Sequence, residues 1–353
     1  MPVTCPLTPA DTPCKQGWEY GQDHLAFFSI KNVRIENCTI ISKNVNRVLK
    51  TSAYFPTQNY EHPQNCTDGV IFRHNQIRAE AAYGKQFWDM YCGTVNVQIE
   101  DNDIELSGFT RFVEDKAYQK KYKGDDLLSS FIEIRNNRVV MSNGNLFQFK
   151  ANAEVDHFVV SDNTFRLTGS NINSFSGFER SCVMQLQGYK SCIISKNTFV
   201  MEDESVGLPL ANVNFDCLDT EVKDNTVTDA YRIYFSAANA TGAEKQFARC
   251  NRFVYSGNTK HYSAAYGDKS KTELYLIQST VDELILDIPG DPVSDENVVE
   301  FGTGSNVQGL SVSVSSPLRK NLFKVYNAKD TKVNVRKIPK GTVQKGSDWV
   351  VRQ

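Results

Sequence analysis

"FIEIRNNRVVM" (residues 131–141) alternates apolar and polar side chains, stops at two asparagines, and resumes the alternation at once. A period of two is that of a β-strand with one buried face. Asn-Asn is a turn signal, because asparagine tolerates a left-handed backbone and hydrogen-bonds its own chain neighbours. The same hexamer (apolar, two variable residues, Asn, one more residue, apolar) recurs at 72–77, 99–104, 134–139, 160–165, 194–199, 222–227 and 248–253. A further copy at 35–40 carries Cys38 in the Asn place. The stretch reads as one corner of a repeating coil, and the strands on its two sides belong to different walls.

The corner positions 38, 75, 102, 137, 163, 197, 225 and 251 are separated by 37, 27, 35, 26, 34, 28 and 26 residues. A floor near 26 with optional insertions suits a solenoid that carries loops on its coils. Stacking the copies makes columns. Three before the corner stand Ile35, Phe72, Ile99, Ile134, Val160, Ile194, Val222 and Ala248; two after it stand Ile40, Ile77, Ile104, Val139, Phe165, Phe199, Val227 and Phe253. Both columns are apolar and mostly β-branched or aromatic, which favours strands. Two before the corner, Glu36, Arg73, Glu100 and Arg135 alternate in sign, as expected of parallel strands in register about 4.8 Å apart. Stacked asparagine amides are expected to hydrogen-bond as a ladder. At the corner itself His74 with Asp101, and Asp162 with Lys196 and Asp224, read as exposed charge pairs worth about 0–1 kcal/mol each.

Past residue 258 the Asn signature fades, but "VDELILDI" (281–288), "VQGLSVSV" (307–314) and "TKVNVRKI" (331–338) continue the alternation and align at Leu284, Leu310 and Val333. The expectation is an all-β, single-stranded parallel β-helix of about eleven coils, a rod of about 50 Å. Residues 1–28 form an entry cap and 29–260 the Asn-corner coils, with insertions at 43–69, 81–94, 107–130 and 168–190. Residues 261–353 form further coils and a C-terminal cap, with a change of cross-section near 260–275. Leucine-rich repeats share the strand-then-Asn core, but leucine is scarce here, three of the seven periods exceed their 20–29 residues, and no amphipathic helix lies between the motifs.

The 353 residues include 39 Lys+Arg and 41 Asp+Glu, a net charge of −2, with a pI near 6.3. That balance gives no electrostatic case for nucleic acid or an anionic membrane, and no run approaches the ~20 apolar residues of a membrane span. "MPVTCPLTPADTPCKQG" does not read as a secretory signal. Because the first repeat begins close to Met1, the chain is compatible with being part of a longer polypeptide. Nine cysteines, an odd number without CxxC spacing, read as reduced thiols of a protein made in a cytosol.

"GWEYGQDHLAFFSIKNVRIENCTIISKN" (17–44), "IRNNRVV", "VVSDNTFRL" and "IISKNTFVM" resemble the right-handed parallel β-helix proteins of the pectate-lyase-like superfamily, and within it bacteriophage tailspike and tail-fibre proteins. The resemblance implies a right-handed coil and a homotrimer in a virion tail, made in the host cytoplasm, that binds and depolymerises a bacterial surface polysaccharide. The alternatives are a non-catalytic receptor-binding or structural tail component and a secreted, stand-alone bacterial polysaccharide lyase. No cofactor is expected for a hydrolase; calcium is, for a lyase. "CTDGV" (66–70) is similar to the NTDG of polygalacturonases but no GHG follows, and "YGQDH" (20–24) lacks the proline of the epimerase YGxDPH pattern.

Glycoside hydrolysis needs two carboxylates about 5 Å apart for retention or 6.5–9.5 Å for inversion, spacings that neighbouring coils supply. Function sits on loops held by a rigid scaffold. The insertions offer Glu61, Asp89, Glu114 and Asp115 as catalytic carboxylates, with Tyr60, His62, Trp88, Tyr91 and Arg111 as substrate-binding groups. No metal-ligand set is evident.

Overall fold

The computed structural model describes residues 23–52, 67–81, 86–91, 94–116, 130–143, 145–150, 156–169, 182–187, 189–214, 217–236, 248–288, 298–314, 321–326, 329–345 and 348–351. Successive strands pass to different sheets. Asp23–Phe28 joins a thirteen-stranded sheet, Lys31–Glu36 an eleven-stranded sheet and Thr39–Val45 an eight-stranded sheet, and Arg47–Ser52 returns to the first. Pairing is parallel from coil to coil; the antiparallel pairs are those that Asp348–Val351 makes with Asn321–Val325 and Thr342–Lys345 at the C-terminal end. The chain is an all-β parallel β-helix with three walls and eleven rungs on its eleven-stranded wall.

The columns are in register. Ile35 pairs with Phe72, Phe72 with Ile99, and so on to Val222, and every member is buried. Glu36, Arg73, Glu100 and Arg135 line up along one edge. Arg73 Nε meets Glu36 at 2.9 Å, whereas Arg135 turns to Glu133 of its own strand, also at 2.9 Å. With side chains 23–43% exposed, these pairs add little stability.

The corners show three features, of which the second, the hydrogen-bonded asparagine ladder, is as expected. First, the left-handed residue is the one before the ladder asparagine. Asn37, His74, Asp101, Asn136, Asp162, Lys196 and Asp224 have φ between +52° and +59°, and Gly257 has +64°. Asp162, Lys196 and Asp224 therefore share a backbone role at the bend, and His74 Nδ1 lies 3.8 Å from Asp101 Oδ2. Second, the ladder asparagine is buried, and its work is hydrogen bonding. Asn137 Oδ1 accepts from both the backbone N–H (3.1 Å) and the Nδ2 (2.8 Å) of Asn102, while Asn137 Nδ2 donates to Ile99 O, Arg135 O and Asn163 Oδ1. The same unit repeats from Asn75 to Asn258. At its N-terminal end Cys38 joins the ladder through its backbone N–H, which donates to Asn75 Oδ1 at 2.9 Å, while its thiol donates to Glu36 O at 3.3 Å.

Third, the eighth corner is Asn258 and not Asn251. Lys223 pairs with Ser256 and Val222 with Tyr255, so the residue facing Asn225 is Asn258. Asn251, by contrast, is exposed. Arg249 and Ala248 accordingly leave their assigned columns, and Lys260 faces Val227 where Phe253 was expected. The hexamer was matched by pattern alone at 248–253, where the strand Ala248–Ser256 runs straight through. After the last corner the eight-stranded wall ends at Thr259–His261. Without an asparagine to bend them, the next strands run uninterrupted as Ser279–Ile288 and Asn306–Val314. Leu284 faces Leu310 as aligned, but a register irregularity brings Leu310 opposite Val335, and Val333 opposite Val307.

The expected insertions contain the third wall. Arg47–Ser52, Gln86–Tyr91, Arg111–Lys116 and Met184–Gln187 are strands of the thirteen-stranded sheet. Their phase relative to the corner is irregular, which hid the repeat. Trp88 lies 13 residues after Asn75, yet Met184 lies 21 after Asn163 and Ile233 only 8 after Asn225.

Cys182, Cys192, Cys217 and Cys250 are buried free thiols and Cys38 is a half-buried one. Burial pushes the Cys182 and Cys192 thiols up, the latter aided by neighbouring Cys217 and Cys250, and pushes Cys250 up to about 12. Since the thiolate is the nucleophile, iodoacetamide at pH 8 should leave these three residues unmodified in the folded protein and label them after unfolding. Peptide mass mapping that found any of them alkylated at the rate of an unfolded control would contradict this account.

Candidate functional site

The outward side of the thirteen-stranded wall carries a continuous polar column. Side chains alternate across a strand, and each member follows a core residue such as Leu49, Trp88, Val113 or Met184. Lys50 faces Asp89, Asp89 faces Glu114, and the register continues through Gln148, Gln185, Asn212, Tyr234, Tyr275 and Glu300 to Lys324. Nine steps of about 4.8 Å make a track of about 43 Å. Every member is a polar residue type, whereas outward positions on the eleven-stranded wall include Ile71, Val159 and Ile193.

At the N-terminal end the column enters a charge cluster. Arg47 Nε lies 2.9 Å from Asp89 Oδ2, and Arg111 Nη1 donates to Glu114 Oε2 at 3.3 Å. Asp89 and Glu114 are each 1% exposed. Burial pushes the Arg111 guanidinium down to about 10, against the pull of Glu114 and then Asp89, so it remains charged at neutral pH. Two carboxylates one rung apart match the retaining separation of about 5 Å. Each is neutralised by a guanidinium and closed to solvent in this arrangement.

At the other end Arg232 sits among three phenols. Its guanidinium carbon is 4.6 Å from the Tyr231 ring centre, 4.7 Å from that of Tyr275 and 5.3 Å from that of Tyr234. Arg232 Nη1 donates to Glu300 Oε2 at 2.6 Å, and the Tyr326 hydroxyl donates to Glu300 Oε1 at 3.3 Å. This end opens to solvent, with Tyr326 38% exposed and the Arg232 and Glu300 side chains 15% exposed. Burial pushes the Tyr231 hydroxyl up to about 12; Tyr326 is raised by burial and then by the charge of Glu300. Phenols held neutral stack and donate hydrogen bonds, and they are poor proton abstractors at pH 7. A flat guanidinium stacked on rings beside hydroxyl donors is chemistry suited to gripping sugar rings.

Of the residues expected to form the site, Asp89, Glu114 and Arg111 come together in one cluster. Trp88 does not join them on the surface: it is fully buried, 5.7 Å from the Phe72 ring, with Nε1 donating to Thr51 Oγ1 at 3.0 Å. Alternation explains the split, because adjacent residues of one strand face opposite sides and Asp89 took the outward one. The expected sugar platform at Trp88 gives way to a core role. Asp115 and Tyr91 lie on strands of the thirteen-stranded wall, Asp115 in register with Met90 and Phe149, and their side chains lie outside the described set. Tyr60, Glu61 and His62 lie outside the described residues altogether. Arg47, Arg232, Tyr231, Tyr234, Tyr275, Glu300 and Tyr326 were not singled out in the sequence. The polar residue following each third-wall core residue was the available signal, legible only once those strands are aligned.

Among the described residues no group of three or more His, Cys, Asp or Glu is arranged to hold a metal ion, and no helix is long and apolar enough to cross a membrane. Comparison of the chain with protein-family models, with curated proteins and with solved structures found no match.

Proposed function

We propose that this protein is a tailspike-like β-helix that binds a bacterial surface polysaccharide along its thirteen-stranded wall, carried as a homotrimer in a virion tail. The observation that supports this reading is the Arg232–tyrosine cluster at the open end of the column, where Glu300 and Tyr326 reach solvent while Asp89, Glu114, Gln185, Asn212 and Tyr234 are buried. A wall fixed by parallel pairing also meets a stiff chain without an ordering penalty of its own.

The test is binding of capsular polysaccharide or lipopolysaccharide O-chain from candidate hosts, by calorimetry. Tyr326→Ala, at an exposed position, should weaken binding about tenfold or more, the equivalent of about 1.4 kcal/mol, with thermal stability unchanged. A variant that unfolds at the wild-type temperature and binds with wild-type affinity would remove the cluster from the binding surface, and no binding to any host glycan would end the proposal.

Depolymerisation is the second reading, favoured by the one-rung separation of Asp89 and Glu114. It requires these carboxylates, each 1% exposed, to become accessible to substrate. New reducing ends from the bound glycan, lost in Asp89→Asn, would establish it; unsaturated uronates and a calcium requirement would indicate a lyase instead.

A further inference from the structure

Charge is spread unevenly along the chain. Residues 319–353 hold ten Lys and Arg against two Asp and Glu, a net of +8, while the whole chain carries 39 against 41. Much of that excess stands at the C-terminal end of the coil. Lys332–Lys337 is the last strand of the eleven-stranded sheet, paired on one side with Asn306–Val314 and on the other with no described strand. None of its six residues is buried. Lys332, Arg336 and Lys337 are exposed on it, and Lys329, Lys340 and Lys345 are exposed in the segments that flank it. These six cations make no ion pair among the described residues. Arg336 lies over Gly309 of the preceding strand, where a side chain would collide with its guanidinium.

The inner face and the backbone of this strand are unfinished as well. Leu310 has Leu284 on one side and Val335 on the other, whereas Val335 has Leu310 alone. Val333 and Val335 pack on the core but stay half-buried. The Lys332 N–H donates to Ser305 O, and backbone groups alternate sides along a strand, so the N–H and C=O of Val333 and Val335 face the open side. Lysines on an edge keep copies of one chain from pairing; the same charges attract a strand of opposite sign. A parallel strand about 4.8 Å away places its acidic side chains opposite Lys332 and Arg336, and its apolar ones opposite Val333 and Val335. A phosphate backbone or a lipid headgroup answers the charges but leaves the carbonyls and the valines unmet.

We propose that Lys332–Lys337 is a docking edge for a partner polypeptide, which adds to the sheet an extended segment of alternating acidic and apolar residues.

The probe is a labelled synthetic octapeptide that alternates valine and glutamate, titrated with the full chain at pH 7 and followed by fluorescence anisotropy and by hydrogen–deuterium exchange. The expected result is binding, with exchange at the Val333 and Val335 amides slowed about tenfold or more. Lys332→Glu combined with Arg336→Glu should weaken binding about tenfold or more. Val335→Pro removes an N–H from the open side and none from the pairing with Asn306–Val314, and should weaken binding to a similar extent. Should Val335→Pro fail to fold, the double charge reversal, made at exposed positions, still carries the test. No binding of the alternating peptide, or binding without slowed exchange at Val333 and Val335, would overturn the proposal. So would equal binding of a peptide with the same residues in two blocks, or of phosphatidylglycerol vesicles in its place, because the patch would then answer to charge alone.

Discussion

Replacing Asn137 by alanine is expected to lower the unfolding free energy by about 3–5 kcal/mol, since each buried polar group left unsatisfied costs about 1–3 kcal/mol. The substitution strands the backbone N–H and one Nδ2 hydrogen of Asn102, which both point at Asn137 Oδ1 (the other Nδ2 hydrogen keeps Phe72 O), and takes a donor from the carbonyls of Ile99 and Arg135. Neither asparagine is more than 3% exposed, so water does not replace the lost partners without opening the corner. In a solenoid each coil is stabilised mainly by its neighbours, so the damage should be local as well as global. Amide exchange should accelerate first at Asn102 and in the two adjoining strands, measured by hydrogen–deuterium exchange alongside urea unfolding. Asn137→Asp separates the two halves of the effect. Its carboxylate still accepts from Asn102, but it faces the Asn163 oxygen with no proton to give. Such an aspartate titrates above the ordinary ~3.9 in the folded state. The folded protein then binds more protons than the unfolded chain, and stability falls as pH rises through that range. The aspartate variant should thus approach wild-type stability near pH 4 and lose it at neutrality. A variant at Asn137 with an unfolding free energy within 0.5 kcal/mol of wild type would show that the ladder is incidental to stability.

Glu114→Gln tests what the buried charges are for. If the cluster is architectural, the substitution leaves Arg111 charged and buried without its carboxylate partner at 3.3 Å. Breaking a buried pair from one side costs about 3–5 kcal/mol. Replacing both members, Arg111→Met with Glu114→Leu, should recover most of that loss, because removing both charges of a buried pair is often close to neutral. The double-mutant cycle isolates the coupling. If instead Glu114 is held for chemistry, Glu114→Gln leaves the unfolding midpoint unchanged and abolishes reducing-end release from the glycan. A stability-neutral Glu114→Gln with no effect on any glycan would remove both roles.

The two columns flanking the corners were legible because parallel stacking places the same sequence position in the same environment coil after coil. Ile99 and Ile134 occupy one environment, and the chain repeats what that environment demands. The failures share a cause. Asn251 has the pattern of a corner, yet what makes Asn258 the corner is the carbonyl of Val222 and the amide of Asn225 placed opposite it. The left-handed turn was assigned to the ladder asparagine, although residues as unlike as His74, Lys196 and Asp224 take that conformation one position earlier. The repeat there is in φ and leaves little trace in composition. Asp89, Glu114 and Arg111 were singled out as members of loops, whereas they stand on strands of a wall.

By itself the sequence determined the coil: strand alternation, the corner interval and the identity of the inward columns are local properties repeated many times, so their signal accumulates along the chain. Only the tertiary structure decided which residues share the outer column of the third wall, because the lengths of chain between corner and wall vary from coil to coil and hydrogen-bond register alone brings them level. It also decided that Trp88 faces the core and Asp89 the other side. A shift of one residue in where that strand begins would have exchanged them.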